Sequence, residues 1–253
     1  MKKILLSLCL TTLLFSATPE QVDQYLSISN ADEQLVELEN QFSVMQNNIN
    51  SLSESDEEKQ SYDMQMLSIR FREYLKTHLS DDEMNEILAQ YRNVLLLQFV
   101  SASAESQMDE EGMKKYLQDL ENDPDAQARK NLVEKISDEM YDKASMSLMF
   151  DNLMKPLLEN APGGDKLSDE MLKKSREAYL QRMVEETRRE TLYATRDFTM
   201  EELEELEKIA KNPAIKMEAK AVFGATAYAL EEFFLSLAKR YDISKHQPGQ
   251  TTH

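Results

Sequence analysis

The chain has 253 residues, of which 29 are basic and 47 acidic, and a formal net charge of −18. A surface this acidic repels nucleic acid and anionic lipid, so we expect no nucleic-acid partner. Glycine and proline are few, helix-forming residues abound, and no run alternates as a strand does. We therefore predict an all-α helical bundle of about eight to ten helices.

The first 17 residues have the layout of a secretory signal peptide. Lys2 and Lys3 precede an apolar run over residues 4–15, and small residues follow it. The run is shorter than the roughly 20 residues that span a bilayer. We predict cleavage between Ala17 and Thr18, and a periplasmic or secreted mature protein without a transmembrane span.

The predicted leader contains Cys9, the only cysteine of the chain. Lipidation at Cys9 is the alternative to simple cleavage, but Leu8 is bulky and apolar sequence continues beyond the cysteine. Without its leader the chain has no thiol for a disulfide, so burial alone must stabilise it. Loss of the two leader lysines takes the net charge from −18 to −20.

Residues 18–122 are predicted to form a first helical unit. Thr18, followed by proline, is expected to cap its first helix, and Ser80 a later one. The polar residues 47–56 read as a turn, after which Ser55 is expected to start another helix. The segment after Ser80 is predicted as a single buried helix, because residues 94–99 are densely apolar.

Residues 123–243 are predicted to form a second unit, which opens at Asp123 and Pro124. Its first helix is expected to run to Leu153, where Pro156 kinks or ends it. The remaining predicted boundaries are a loop at residues 161–164, caps at Ser168 and Thr199, a last helix from Pro213 to about Tyr241, and a disordered tail at residues 244–253.

One phrase occurs twice at a spacing of 119 residues: R-x3-Y-x4-[LF]-[ST]-x-[DE]-E-x-x-E. Its carriers are Arg70, Tyr74 and Glu83 in the first unit, and Arg189, Tyr193 and Glu202 in the second. We interpret the repetition as two tandem, related helical units. Each Arg could pair with the glutamate of a capping box while the Tyr packs under the turn, which we favour. Alternatively, the Arg, the Tyr and the carboxylates of each phrase line a polar pocket in each half, and these six residues are the candidates for that site.

The sequence also suggests a family. The run DFTMEELEELEKIAKNPAIKMEAK resembles the closing helix pair of exported bacterial proteins catalogued as domain of unknown function 2059. Asn212 and Pro213 match the family's opening of the last helix, whereas Ile215 replaces a common glycine. The resemblance covers residues 138–238, and residues 20–100 look like a diverged second copy. It implies an exported helical bundle and no site residues.

No motif of the chain specifies a reaction. None of the three histidines follows a glutamate at helical spacing, and the glycines are scattered, so we predict no catalytic residue, cofactor or metal site. We interpret a methionine-rich helical stripe as part of the hydrophobic core; a groove for a protein partner or a Cu(I) site are the alternatives. Its members are Met146, Met149, Phe150 and Leu153.

These observations together predict a non-catalytic interaction or chaperone-like module. Its protein partner is unidentified, and a second copy of the chain, in a homodimer, is one candidate. The alternative hypothesis is an enzyme or metal-binding protein with a polar site between the two helical halves, around Arg70 and Tyr74 or around Arg189 and Tyr193. A pocket in which unpaired Arg, Tyr and Glu side chains converge would favour the enzyme, whereas solvated ion pairs would favour the interaction module.

Overall fold

The computed structural model describes residues 16–51, 62–107, 109–123, 126–161, 164 and 167–238. These residues form helices without a strand, which confirms the all-α prediction. The helices are α1 (Pro19–Ile28), α2 (Ala31–Ser51), α3 (Gln65–His78), α4 (Asp81–Gln90), α5 (Val94–Gln107), α6 (Glu110–Glu121), α7 (Ala126–Met140), α8 (Lys143–Met149), a π turn (Phe150–Met154), α9 (Lys155–Asn160), α10 (Asp169–Ala194), α11 (Met200–Ala210) and α12 (Pro213–Ala238).

Side-chain caps begin several of these helices. Thr18, Ser80 and Thr199 each accept a hydrogen bond from the backbone N–H three residues on, and the Gln or Glu there accepts one in return. The three predicted capping boxes are thus confirmed, and each satisfies two backbone donors that the helix leaves free. Ser168 caps α10 as predicted, and Asp109 caps α6.

Helix α12 packs more extensively than any other described helix, chiefly against α3 and α8. Its Ala225, Ala229 and Phe233 are completely buried. Small residues allow α3 to approach closely: a Cβ atom on Gly224 would collide with the hydroxyl of Tyr74. A larger residue at position 224 would therefore displace the Tyr74 side chain. Helix α12 forms the centre of the bundle.

The helix starts repeat at the spacing found in the sequence. Helices α4 and α11 begin 119 residues apart, and so do α5 and α12. Helix α12 packs on α3, and its equivalent α5 packs on α10, so each of these two helices lies against the Arg-x3-Tyr helix of the other predicted unit. Both units contribute to one cluster of buried apolar side chains.

Two predicted boundaries in the first unit are wrong. Helix α2 continues through residues 47–51, because their polar side chains lie on its exposed faces or are half-buried. The single helix expected after Ser80 is two helices, broken at residues 91–93. Asn93 Oδ1 accepts a hydrogen bond from the Leu95 N–H at 2.9 Å, which favours a new helix start. Val94 is 67% exposed, so this segment is not buried all round.

The helix expected to run to Leu153 is also interrupted. Asp142 accepts hydrogen bonds from the N–H groups of Ala144 and Ser145, and so starts α8. Pro156 does not end the helical segment, which continues to the end of α9. The π turn directly before it widens the helix where a proline ring would otherwise meet the carbonyl four residues earlier.

The methionine-rich stripe belongs to the core. Met146, Phe150 and Leu153 are buried, and Met149 packs against the same core from a half-buried position. Several predicted features lie outside the described residues: the leader before Ser16, the Ser55 cap, Pro124, residues 162 and 163 of the predicted loop, the predicted last helix beyond Ala238, and the tail.

Candidate ligand-binding cavity

A cavity of about 420 Å³ lies between α2, α5 and α12. Small-molecule sites in proteins commonly measure about 300–1,000 Å³. The exposed side chains of Gln34, Glu37 and Gln41, all on α2, stand at its rim. Its apolar wall is formed mainly by Leu35, Leu38, Phe71, Leu96, Phe99, Val100, Met140, Ile215, Val222 and Phe223.

Helices α5 and α12 line the cavity with matching positions. The α5 residues are Leu96, Phe99, Val100 and Ser103, and the α12 residues 119 positions later are Ile215, Glu218, Ala219 and Val222. The cavity therefore lies where the equivalent helices of the two predicted units face each other. At one of these positions the apolar Phe99 is matched by a carboxylic acid, Glu218.

Glu218 is held by two tyrosines from other helices. Tyr25 of α1 donates its hydroxyl hydrogen bond to Glu218 Oε1 at 2.8 Å, and Tyr91, which follows α4, donates to the same oxygen. The two tyrosine rings meet edge to face, with centroids 6.0 Å apart. No described residue donates a hydrogen bond to Glu218 Oε2, and Glu218 lines the cavity. This oxygen is therefore available to a bound molecule.

Burial raises the pKa of Glu218 from 4.5 to about 7, and the tyrosine hydrogen bonds lower it by less. Burial, followed by the charge on Glu218, raises the pKa values of Tyr25 and Tyr91 well above 10. Both hydroxyls therefore stay protonated and can only donate to the carboxylate. Near neutral pH, Glu218 can bind or release a proton.

The other polar groups around the cavity add no positive charge. Burial, and then the charges of Glu190 and Glu218, raise the pKa of Tyr141, which lines the wall. Ser29 also lines the cavity, and its hydroxyl lowers the pKa of Tyr25 by less than burial raises it. Lys216, two residues before Glu218, pairs with Glu139 at 2.6 Å.

The predicted polar-site residues of the first unit lie away from the cavity. Arg70 is buried, pairs with Glu231 and Glu232 of α12, and lies 4.4 Å from the ring centroid of Tyr228. It does not pair with the box glutamate, which was the interpretation we favoured. Tyr74 stacks on His78 with ring centroids 3.7 Å apart, and Glu83 closes the Ser80 capping box.

The predicted polar-site residues of the second unit lie apart from those of the first unit. Tyr193 donates a hydrogen bond to Asp109 at the start of α6, and the Arg196 guanidinium covers its ring. Arg189 is exposed, and Glu202 closes the Thr199 capping box. The six residues therefore do not line one pocket, and none of them lines the cavity.

The sequence analysis missed Glu218, although a signal was present. Glu218 stands three residues after Ile215 and four before Val222, which places a carboxylate on the buried stripe of an amphipathic helix. Its tyrosine partners are 193 and 127 residues away in the chain, so no local sequence pattern predicts that these three side chains meet.

None of the helices among the described residues combines the length and apolar character needed to cross a bilayer. Within the same residues, no group of three His, Cys, Asp or Glu side chains could hold a metal ion. No family model, curated protein or solved structure matches the chain. The resemblance to domain of unknown function 2059 stays a prediction.

Proposed function

We propose that the protein is an exported, non-catalytic binding protein that holds a small, largely apolar molecule in the cavity between α5 and α12. The observation that carries this proposal is the cavity itself. The cavity is partly open to solvent at its α2 rim and measures about 420 Å³, a volume within the range of small-molecule sites. Its walls are apolar, with a few polar groups that could orient a ligand.

Export rests on the leader-like first 17 residues, and the acidic surface suits a protein that must stay soluble after secretion. Export also agrees with the resemblance to a family of exported helical proteins. A protein partner or a homodimer remains a separate prediction, since the cavity concerns a small ligand.

The alternative enzyme hypothesis placed its site around Arg70 and Tyr74, or around Arg189 and Tyr193. The Arg70 charges are already paired with α12, and the Tyr193 hydroxyl is engaged by Asp109. These observations favour structural roles for the repeated phrase, and they favour the cavity as the place where a ligand binds.

The proposal is tested with 4-(dimethylamino)benzonitrile, a small neutral apolar probe whose fluorescence responds to the polarity of its surroundings. We expect saturable binding at one site per chain. Ala219→Phe, which places a ring in the cavity wall, should abolish that binding. Ala89→Phe introduces the same ring on an exposed position of α4 and should leave binding unchanged. Equal binding by the two variants would contradict the proposed site.

A further inference from the structure

Glu218 is a carboxylic acid set into an apolar wall, and its surroundings indicate what it would recognise. We propose that the ligand of this cavity carries a protonated amine on an apolar body, with the ammonium group donating to Glu218 Oε2. This inference rests on the proposed binding function and specifies the chemistry of the ligand.

The first argument is the hydrogen bonding of the carboxylate. An ionised carboxylate has about four acceptor positions. The two tyrosine hydroxyls both donate to Oε1, and no described residue donates to Oε2. An ammonium group in the cavity would add an opposite charge and as many as three N–H donors to the acceptor positions that remain.

The second argument is that the charges around Glu218 select against anions. The groups that face it are the hydroxyls of Tyr25 and Tyr91, and the charge of Glu218 also acts on Tyr141. Further acidic groups lie at Glu190 on α10 and at the rim residue Glu37 on α2. None of these groups is basic.

The basic side chains nearest to this cluster in the chain are engaged elsewhere or exposed. Lys216 pairs with Glu139, and Arg72 of α3 pairs with Asp23 and Asp32. Lys220 on α12 and Arg92, which follows Tyr91, are exposed. No described basic side chain forms an ion pair with Glu218, so a cationic ligand would meet no internal competitor.

The third argument is the aromatic wall. Tyrosine and phenylalanine rings line the cavity, and an ammonium group over such a ring face gains about 0.5–2 kcal/mol. The size of the cavity sets the apolar body. At about 30 Å³ for each water-sized unit, 420 Å³ accommodates roughly 14 non-hydrogen atoms.

The test compares three eight-carbon probes by calorimetry at pH 7: n-octylamine, n-octanol and octanoate. A hydrogen bond to a charged group contributes about 1.5–3 kcal/mol, so octylamine should bind about 10- to 150-fold more tightly than octanol. Glu218→Gln should remove that difference. Glu86→Gln deletes the same charge from an exposed position of α4 and should preserve it.

A second readout does not depend on any variant. Near pH 7 about half of the Glu218 side chains carry a proton, and an ammonium ligand would displace it. The measured binding heat of octylamine should therefore differ between phosphate and Tris buffers, whose ionisation heats differ, by an amount equal to about half a proton per ligand. This readout decides the question even if Glu218→Gln fails to fold.

The outcomes separate the inference from the proposed function. If octanol or octanoate binds as tightly as octylamine, and Glu218→Gln changes nothing, the amine is excluded while an apolar binding cavity remains supported by the effect of Ala219→Phe. If the binding of none of the probes, including 4-(dimethylamino)benzonitrile, depends on Ala219, the binding function itself is overturned.

Discussion

The buried carboxyl of Glu218 should make the protein less stable as the pH rises from about 5 to 8. The folded-state pKa is about 7, compared with 4.5 for an unperturbed glutamic acid. The folded protein therefore holds this proton more tightly than the unfolded chain does. Below pH 4.5 both states are protonated and no penalty applies, whereas above pH 7 the folded state bears the full cost of the buried charge.

The magnitude follows from that difference. Between the two pKa values the unfolding free energy should fall by about 1.4 kcal/mol per pH unit, and by about 3 kcal/mol in total. Glu218→Gln replaces the acid with a neutral group of similar shape that can still accept from Tyr25 and Tyr91. At pH 8 this variant should be more stable than the wild type by about that amount, and at pH 4.5 the two should be similar.

Urea denaturation at several pH values between 4.5 and 8 measures this effect. With a slope of about 2–3 kcal/mol/M, the midpoint of Glu218→Gln should exceed that of the wild type by about 1 M at pH 8. Glu86→Gln reports the effect of losing one charge from an acidic surface. Parallel curves for wild type and Glu218→Gln across this range would refute the burial of Glu218.

Three further predictions concern the frame of the bundle. Ser80→Ala and Thr199→Ala should each lower the unfolding free energy by about 0.5–2 kcal/mol in urea denaturation, because each breaks a capping box. Pro213→Ala should have a small effect. Unchanged urea midpoints for both cap variants would contradict the repeat. Arg129 donates hydrogen bonds to two carbonyls of the α10–α11 turn, so Arg129→Ala should lower the unfolding free energy by about 1.5–3 kcal/mol in the same assay. No measurable change would contradict a role of Arg129 in stabilising this turn. Ala17 is buried and its N–H donates to the Leu79 carbonyl at 2.9 Å, contacts that the predicted cleavage between Ala17 and Thr18 would remove. These contacts favour a cleavage site at least one residue earlier, so N-terminal mass spectrometry of the exported protein should find Ala17 retained; a start at Thr18 would contradict this and support the site predicted from the sequence.

The helix caps could be predicted because their information is local. A cap requires an oxygen on one residue and a partner three positions on, and both are visible in the sequence at Thr18, Ser80 and Thr199. The break before α5 was missed because the apolar run from Val94 masks it. The repeat could have predicted this break, because Asn93 corresponds to Asn212, which stands directly before the start of α12.

The cavity could not be predicted in the same way. Its acid, Glu218, is one glutamate among many, and its partners come from α1 and from the end of α4. The prominent Arg-x3-Tyr phrase attracted attention because it repeats, yet Arg70 pairs with α12 and Tyr193 pairs with α6. Which side chains contact each other across helices depends on how the two units cross, and the spacing of residues in the sequence does not reveal that crossing.

The most direct test of the central claim is a crystal structure of the protein with 4-bromophenethylamine, an apolar amine of about the right size, located by the anomalous signal of its bromine. The account predicts a bromine peak inside the cavity between α5 and α12, with the amine nitrogen within about 3 Å of Glu218 Oε2. A bromine peak only on the outer surface, with the cavity walls collapsed together, would contradict it.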